Sequence, residues 1–238
     1  MRPTATLDRG TLLTFQERER ALVEVLRRSG YRSLEGVRIF EAGAGNGYNL
    51  LQFVQWGAHP GDLGGIELDA ERAEYARSHL TGLRMHTGSA EQIPEEDQSF
   101  DICVAFRLFS SLHNEERSEH IAAEMFRVTR AGGLLLVYDI RRKRARNRDV
   151  QSVHPDDIHR WFPKCRAHTE HLSLGSKTGA VAARIGTPVF GALSLLPPLR
   201  THSLHIMQRP ATSAFGDEEA WEAPAQTTSR ANDAQSAG

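Results

Sequence analysis

The stretch Val37–Leu51, VRIFEAGAGNGYNLL, leaves few choices of fold. Val37, Ile39 and Phe40 read as a buried strand, Glu41 to Gly47 as a tight turn, and Tyr48 onward as a helix. A short apolar run, then glycines, then helical spacing is the unit with which doubly wound α/β domains bind a nucleotide. The spacing narrows the ligand. A dinucleotide fingerprint, G-x-G-x-x-G, would need its third glycine where this chain has Tyr48, whereas the next glycine after Gly43 and Gly45 is Gly47.

The flanking chain fits the same architecture. Leu12, Leu13, Phe15, Ala21, Leu22, Val25 and Leu26 recur at helical spacing over 11–28, with Gly30 as a stop. Leu50, Leu51 and Val54 mark the buried face of a helix ending at Gly57. Leu63–Leu68 is a second strand that brings Glu67 to its end, about twenty positions past the turn, where an acid accepts hydrogen bonds from ribose hydroxyls. Asp69 caps a helix to Leu80 with Ala73, Ala76 and Leu80 inward. A short strand, Leu83–His86, leads to Gly88, Ser89 and Ala90, and Gln98–Phe106 is a strand buried on both faces. Asn114 caps the next helix, whose core face is Ile121, Ala122, Met125, Phe126 and Val128; it stops at Gly132 and Gly133 before a fifth strand.

A glycine turn preceded two positions earlier by an acid, here Glu41, resembles motif I of the class I S-adenosylmethionine (SAM) methyltransferases. The acid at 67, the GSA turn, the SFD start of strand four (Ser99–Asp101) and the run VTRAGGLLLVYDI (Val128–Ile140) follow in that family's order. The resemblance covers Leu12 to Ile206. It implies an α/β fold, a Rossmann-like seven-stranded, mostly parallel sheet with helices on both faces and an antiparallel last strand, and SAM as cofactor. The implied cofactor residues are Glu41, Gly43, Ala44, Gly45, Gly47, Glu67, Leu68, Ser89, Ala90, Phe106 and Arg107. SAM carries no pyrophosphate, so its site needs a turn thin enough for close backbone approach and a carboxylate to balance ammonium and sulfonium charge. Where the family shows GDA, its aspartate on the adenine amino group, this chain has Ser89; the hydroxyl, or a backbone group near Ala90, is expected to replace it. Strand four ends in Ala105, Phe106, Arg107 and Leu108, not the Asp/Asn-Pro-Pro-aromatic box of enzymes that methylate base and amide nitrogens, which disfavours that type. A narrower resemblance, to a poorly characterised bacterial group, rests on Phe109–Ser111, Tyr138 and Asp139 with Asn147 and Asp149, Trp161–Cys165 and Pro197–His202; it brings no reaction with it.

Methyl transfer is an in-line displacement in which positioning alone can supply about 7 to 11 kcal/mol of the barrier. No nucleophilic residue is required. The sequence shows no Ser-His-Asp or Cys-His signature, and its eleven histidines lack metal spacing. An oxygen acceptor would need a base, for which Asp139 has the location and His113 the intrinsic pKa. Tyr138, Arg141 and Arg142 are the candidate substrate residues. The run RRKRARNRD (Arg141–Asp149) is either a solvated loop or a lip over the substrate mouth that binds a carboxylate or phosphate.

At 238 residues with 39% hydrophobic content, the chain has room for one large domain, expected over 1–208, followed by a polar, disordered tail over 209–238. Within the domain, 178–196 is a helical, apolar insertion between two antiparallel strands; a core helix is preferred there over a lid or oligomer surface. A net charge of -1 argues against nucleic acid as the obligatory partner. Two cysteines, no signal-like leader and no membrane-length apolar run point to the cytoplasm. The reading is a SAM-dependent methyltransferase of a small molecule, with oxygen the favoured acceptor atom and an anionic substrate in view. A catalytically silent SAM- or partner-binding protein and an NAD(P)-dependent oxidoreductase are the alternatives. Acceptor identity and oligomeric state stay open.

Overall fold

In the computed structural model, which describes residues 9–142, 150–174 and 176–211, seven strands form one sheet. They are β1 Ile39–Ala42, β2 Leu63–Glu67, β3 Arg84–Thr87, β4 Phe100–Phe106, β5 Thr129–Ile140, β6 Arg166–Leu174 and β7 Arg200–Gln208. In space the order is β3-β2-β1-β4-β5-β7-β6. The first five are mutually parallel, and β7 runs antiparallel to both its neighbours. Around them lie α1 Arg9–Arg28, α2 Tyr48–Gln55, α3 Ala70–His79, α4 Glu115–Val128, α5 Pro155–Trp161, α6 Ser176–Ile185 and α7 Thr187–Ser194. Because the strand order turns outward in both directions from β1 and β4, the crevice past their carboxyl ends is the topological switch point where such sheets bind ligands.

Alternation along the strands feeds two cores. Ile39, Ile102, Val104, Leu134 and Leu136 pack against Leu22, Val25 and Leu26 of α1 and Leu50 and Phe53 of α2. On the other face Phe40, Cys103, Ala105, Leu135 and Val137 meet Ile121 and Met125 of α4 and Ile158 and Trp161 of α5. Asp69 caps α3 as expected, accepting from the amides of Glu71 and Arg72 at 3.0 and 3.3 Å.

Several boundaries depart from the sequence reading, each for a local reason. Glu41 and Ala42 stay in β1, paired with β2 and β4, so the turn begins at Gly43. In α2 the second inward residue is Phe53; Leu51 and Val54 are only half-buried. Helix α4 ends at Val128, ahead of the glycines, because Thr129 already pairs with Phe100 and its hydroxyl donates back to the Met125 carbonyl at 2.7 Å. Strand β4 starts at Phe100, two residues late, since Gln98 holds a left-handed φ of 55°. The insertion is two helices, broken at Gly186 with Pro188 in the first turn of α7. It is not a core helix of the sheet: Ala182, Ala183 and Phe190 form a separate small cluster with Leu174, and Gly10 of α1 fits so closely that a Cβ there would lie 2.8 Å from the Ala180 backbone. Apart from 209–211, the expected disordered tail lies outside the described residues, as does most of the basic run after Arg142.

Candidate functional site

The turn at the switch point is built from three left-handed glycines, Gly43, Gly45 and Gly47, at φ 71°, 57° and 77°. Two are hemmed in and one is open. A Cβ on Gly43 would meet Leu108 Cδ1 at 2.8 Å and one on Gly47 would meet Leu80 Cδ1 at 2.5 Å, whereas a Cβ on Gly45 would meet nothing within 4 Å. The first and third glycines therefore let the turn pack, and the middle one leaves its face clear for a ligand. Ala44 is buried and ties the turn to β2, its amide donating to the Ile66 carbonyl at 3.0 Å.

Two acids flank that face. Glu67, at the tip of β2, accepts from the Gly45 amide at 2.8 Å and from the Asp69 amide at 3.0 Å, which fixes its carboxylate against the turn. Leu68 beside it is exposed. Glu41 is fully buried; one of its oxygens accepts from Asn49 Nδ2 at 2.7 Å and the other, Oε2, has no partner among the described residues. Burial pushes its pKa up to about 8, against the opposing pull of the Asn49 hydrogen bond and the Arg18 charge. An unpaired buried carboxylate oxygen is costly unless a donor or cation completes it. The ammonium of an amino-acid moiety is such a group, so the residues present fit the methionine half of SAM.

Next to this acid stands an aromatic pair, Phe106 at the end of β4 and Tyr138 near the end of β5, with ring centroids 6.5 Å apart. The Arg18 guanidinium reaches down from α1 onto both, 5.4 and 5.7 Å from their centroids, and also lies 5.6 Å from Phe15. A cation thus already rests on the aromatic faces beside Glu41, the electrostatic environment that a sulfonium also favours. Tyr138 hydrogen-bonds Ser173 through its hydroxyl at 3.0 Å, and burial raises its pKa to about 12.

The remaining candidates are dispersed. Ser89 donates to Glu91 Oε1 at 2.9 Å and accepts from the Glu91 amide at 3.2 Å, so its hydroxyl is engaged in a local turn; Ala90 beside it is buried. Arg107 holds a left-handed φ of 58° with its amide on the Tyr138 carbonyl at 2.7 Å and its side chain in solvent. His113 is exposed on the loop that precedes α4. Asp139 requires a correction. It is fully buried on the face of the sheet opposite Tyr138, and its two oxygens accept from the amides of Ser110 at 3.0 Å and Ile140 at 2.8 Å. A carboxylate so enclosed does not touch an acceptor; it anchors the turn at Phe109–Ser111. Arg141 and Arg142 donate to the carbonyls of Pro197 and Pro198 at 3.2 and 2.6 Å, which ties β5 to the end of the insertion.

Sequence reading missed Asn49 and Arg18. Asn49 is the second residue of α2 and reaches back to Glu41; its only signal was a polar residue directly after the glycine turn. Arg18 follows Phe15 at a spacing of three on α1, which places the two on one helix face but gives no hint of where that face lands.

Strand order, glycine turn and paired acids are together those of a class I SAM-dependent methyltransferase. Residues 40–137 match the family model described as a methyltransferase domain. Over 110 residues it is 32% identical to a phthiotriol/phenolphthiotriol dimycocerosates methyltransferase of Mycobacterium ulcerans, covering 45% of this chain and 39% of that one. A Mycobacterium leprae protein of the same description is 29% identical over 52% of this chain and 46% of its own. The chain thus spans less than half the length of these curated relatives. Among solved structures, geranyl diphosphate C-methyltransferase from Streptomyces coelicolor A3(2), in complex with Mg2+, geranyl diphosphate and S-adenosyl-L-homocysteine, superposes with a TM-score of 0.59 at 11% identity, covering 88% of this chain and 84% of that one. That likeness is one of fold.

Proposed function

We propose that the protein transfers a methyl group from SAM to a small-molecule acceptor, with oxygen the favoured acceptor atom. The observation that carries the reading is the unpaired Oε2 of buried Glu41 beside the open face of Gly45. When bound, SAM supplies an activated methyl group on a positively charged sulfur. The chain has to hold that charge and keep water away. Glu41 receives the ammonium; Glu67, braced by two amides, keeps lone pairs for the ribose hydroxyls; Phe106 and Tyr138 offer their faces to the sulfur in place of the Arg18 guanidinium.

An oxygen acceptor must lose a proton, and the exposed imidazole of His113 on the loop before α4 is the base this reading assigns. Asp139 acts at one remove, by holding the turn that precedes His113. Arg141 and Arg142 stand at the carboxyl edge of the sheet, where an anionic group on the acceptor would meet them. The triol named for the mycobacterial relatives and the diphosphate held by the Streptomyces neighbour support a hydroxyl-bearing or anionic acceptor. A cytoplasmic location fits two buried, free cysteines.

Calorimetry with SAM, S-adenosylhomocysteine and NAD, followed by methyl release over a panel of hydroxyl and phosphate acceptors, tests this. NAD binding without SAM binding would replace the reading with an oxidoreductase. SAM binding with no turnover on any acceptor would leave a silent binding protein.

A further inference from the structure

The insertion carries a surface that the proposed reaction does not use. Helix α6 turns Ala182 and Ala183 inward, and its outward stripe is Val181, Arg184 and Ile185, with Val181 59% and Ile185 69% exposed. On α7 and its cap the exposed residues after Thr187 are Pro188, Gly191, Ala192 and Leu195, all without polar side chains. Leu195 and Leu196 are 71% and 49% exposed. A solvent-facing helix ordinarily puts polar residues on that side. No helix of the described residues is long and apolar enough to cross a membrane, and at 10 and 8 residues these two fall far short.

Within the insertion itself the charge has one sign. No Asp or Glu occurs between Glu170 and Asp217. Arg9 and Arg184 are exposed on its border, Arg9 donating to Thr187 Oγ1 at 2.8 Å, and Arg142 reaches its far end at the Pro198 carbonyl. An apolar stripe rimmed by arginines is complementary to an anionic lipid surface, with side chains entering the acyl boundary and guanidinium groups meeting headgroups.

One other occupant fits less well. A second copy docking the same face would set like-charged rims against each other.

We propose that the α6–α7 hairpin is a docking face for an anionic bilayer surface, seating the carboxyl edge of the sheet against the membrane. The inference rests on the hairpin alone and stands or falls independently of the methyl acceptor. Cosedimentation of the full chain with vesicles of phosphatidylcholine, with and without phosphatidylglycerol, tests it. Binding is expected on the mixed vesicles, at least fivefold weaker on neutral ones, and at least tenfold weaker for Val181→Asp/Ile185→Asp. Because both side chains are exposed, that variant should keep the wild-type circular dichroism and melting temperature. Arg184→Glu, which changes only charge, should also bind several-fold less. Absence of wild-type binding to mixed vesicles, or undiminished binding by a folded double variant, would overturn the proposal. So would a dimer in light scattering that the double variant dissolves while vesicle binding is absent, which would assign the face to a second copy.

Discussion

At the scale of one side chain, the proposed reading turns on Glu41. In the ligand-free protein its pKa is raised from 4.5 to about 8, so it is neutral in the fold and ionised in the unfolded chain between those values. Its contribution to stability is full below pH 4.5 and is lost as pH rises towards 8, by roughly 1.4 kcal/mol per unit. A bound ammonium reverses the preference, because it needs the ionised form. SAM affinity is therefore expected to rise with pH up to about 8, by up to tenfold per unit, and Glu41→Gln should flatten that dependence and weaken binding; calorimetry between pH 6 and 9 checks both. Gly45→Val and Glu67→Ala should each greatly weaken SAM binding while the circular dichroism spectrum persists. The first places a branched side chain on the open face at φ 57°, and the second removes the acid that accepts the Gly45 amide. Retained affinity in both would place the cofactor elsewhere.

At the scale of elements, the turn and its two flanking strands were legible because each is a local pattern. A β-rich run ends at glycines, and an acid ends the next strand one helix later. The connection between β5 and the insertion was not legible. Arg141 and Arg142 read as a substrate lip, yet each guanidinium also straps β5 to the prolines ahead of β7. Replacing both with Ala is expected to raise the KM for an anionic acceptor several-fold with SAM affinity unchanged. If the strap is their only role, limited proteolysis within 186–199 will accelerate and KM will not move. His113→Ala should lower kcat for an oxygen acceptor by about 10²-fold or more; an unchanged kcat would remove His113 from the reaction.

Across the whole molecule, the antiparallel pair β6 and β7 sets half-exposed polar side chains of edge strand β6 against buried ones of β7. Ser203 and His171 share a hydrogen bond at 3.0 Å, and fully buried His205 meets Thr169 at 2.9 Å while its Nε2 has no partner among the described residues. Burial, with the charges of His171, His159 and His154, lowers the His205 pKa from 6.5 to about 3. The neutral ring is thus kept in the fold, and its stabilising effect is present above pH 6.5 and lost as pH falls towards 3, at roughly 1.4 kcal/mol per unit. Between pH 6.5 and 4.5 this loss opposes the gain from Glu41, so the wild-type urea midpoint should change little there, and His205→Gln should let it rise as pH falls. The sequence by itself determined what depends on neighbours along the chain: the strand, the three-glycine bend, the two acids, the capped helices and the order of a methyltransferase sheet. Tertiary structure decided what depends on contacts between distant segments. Alternation puts Tyr138 and Asp139 on opposite faces, but only the addition of β7 and the Phe109–Ser111 turn sealed Asp139 in and left Tyr138 beside the cofactor crevice. Likewise Arg18 reached the aromatic pair, and the insertion kept an apolar face outward, because α1 and α6 pack on each other across the carboxyl edge, a meeting that no spacing within either segment encodes.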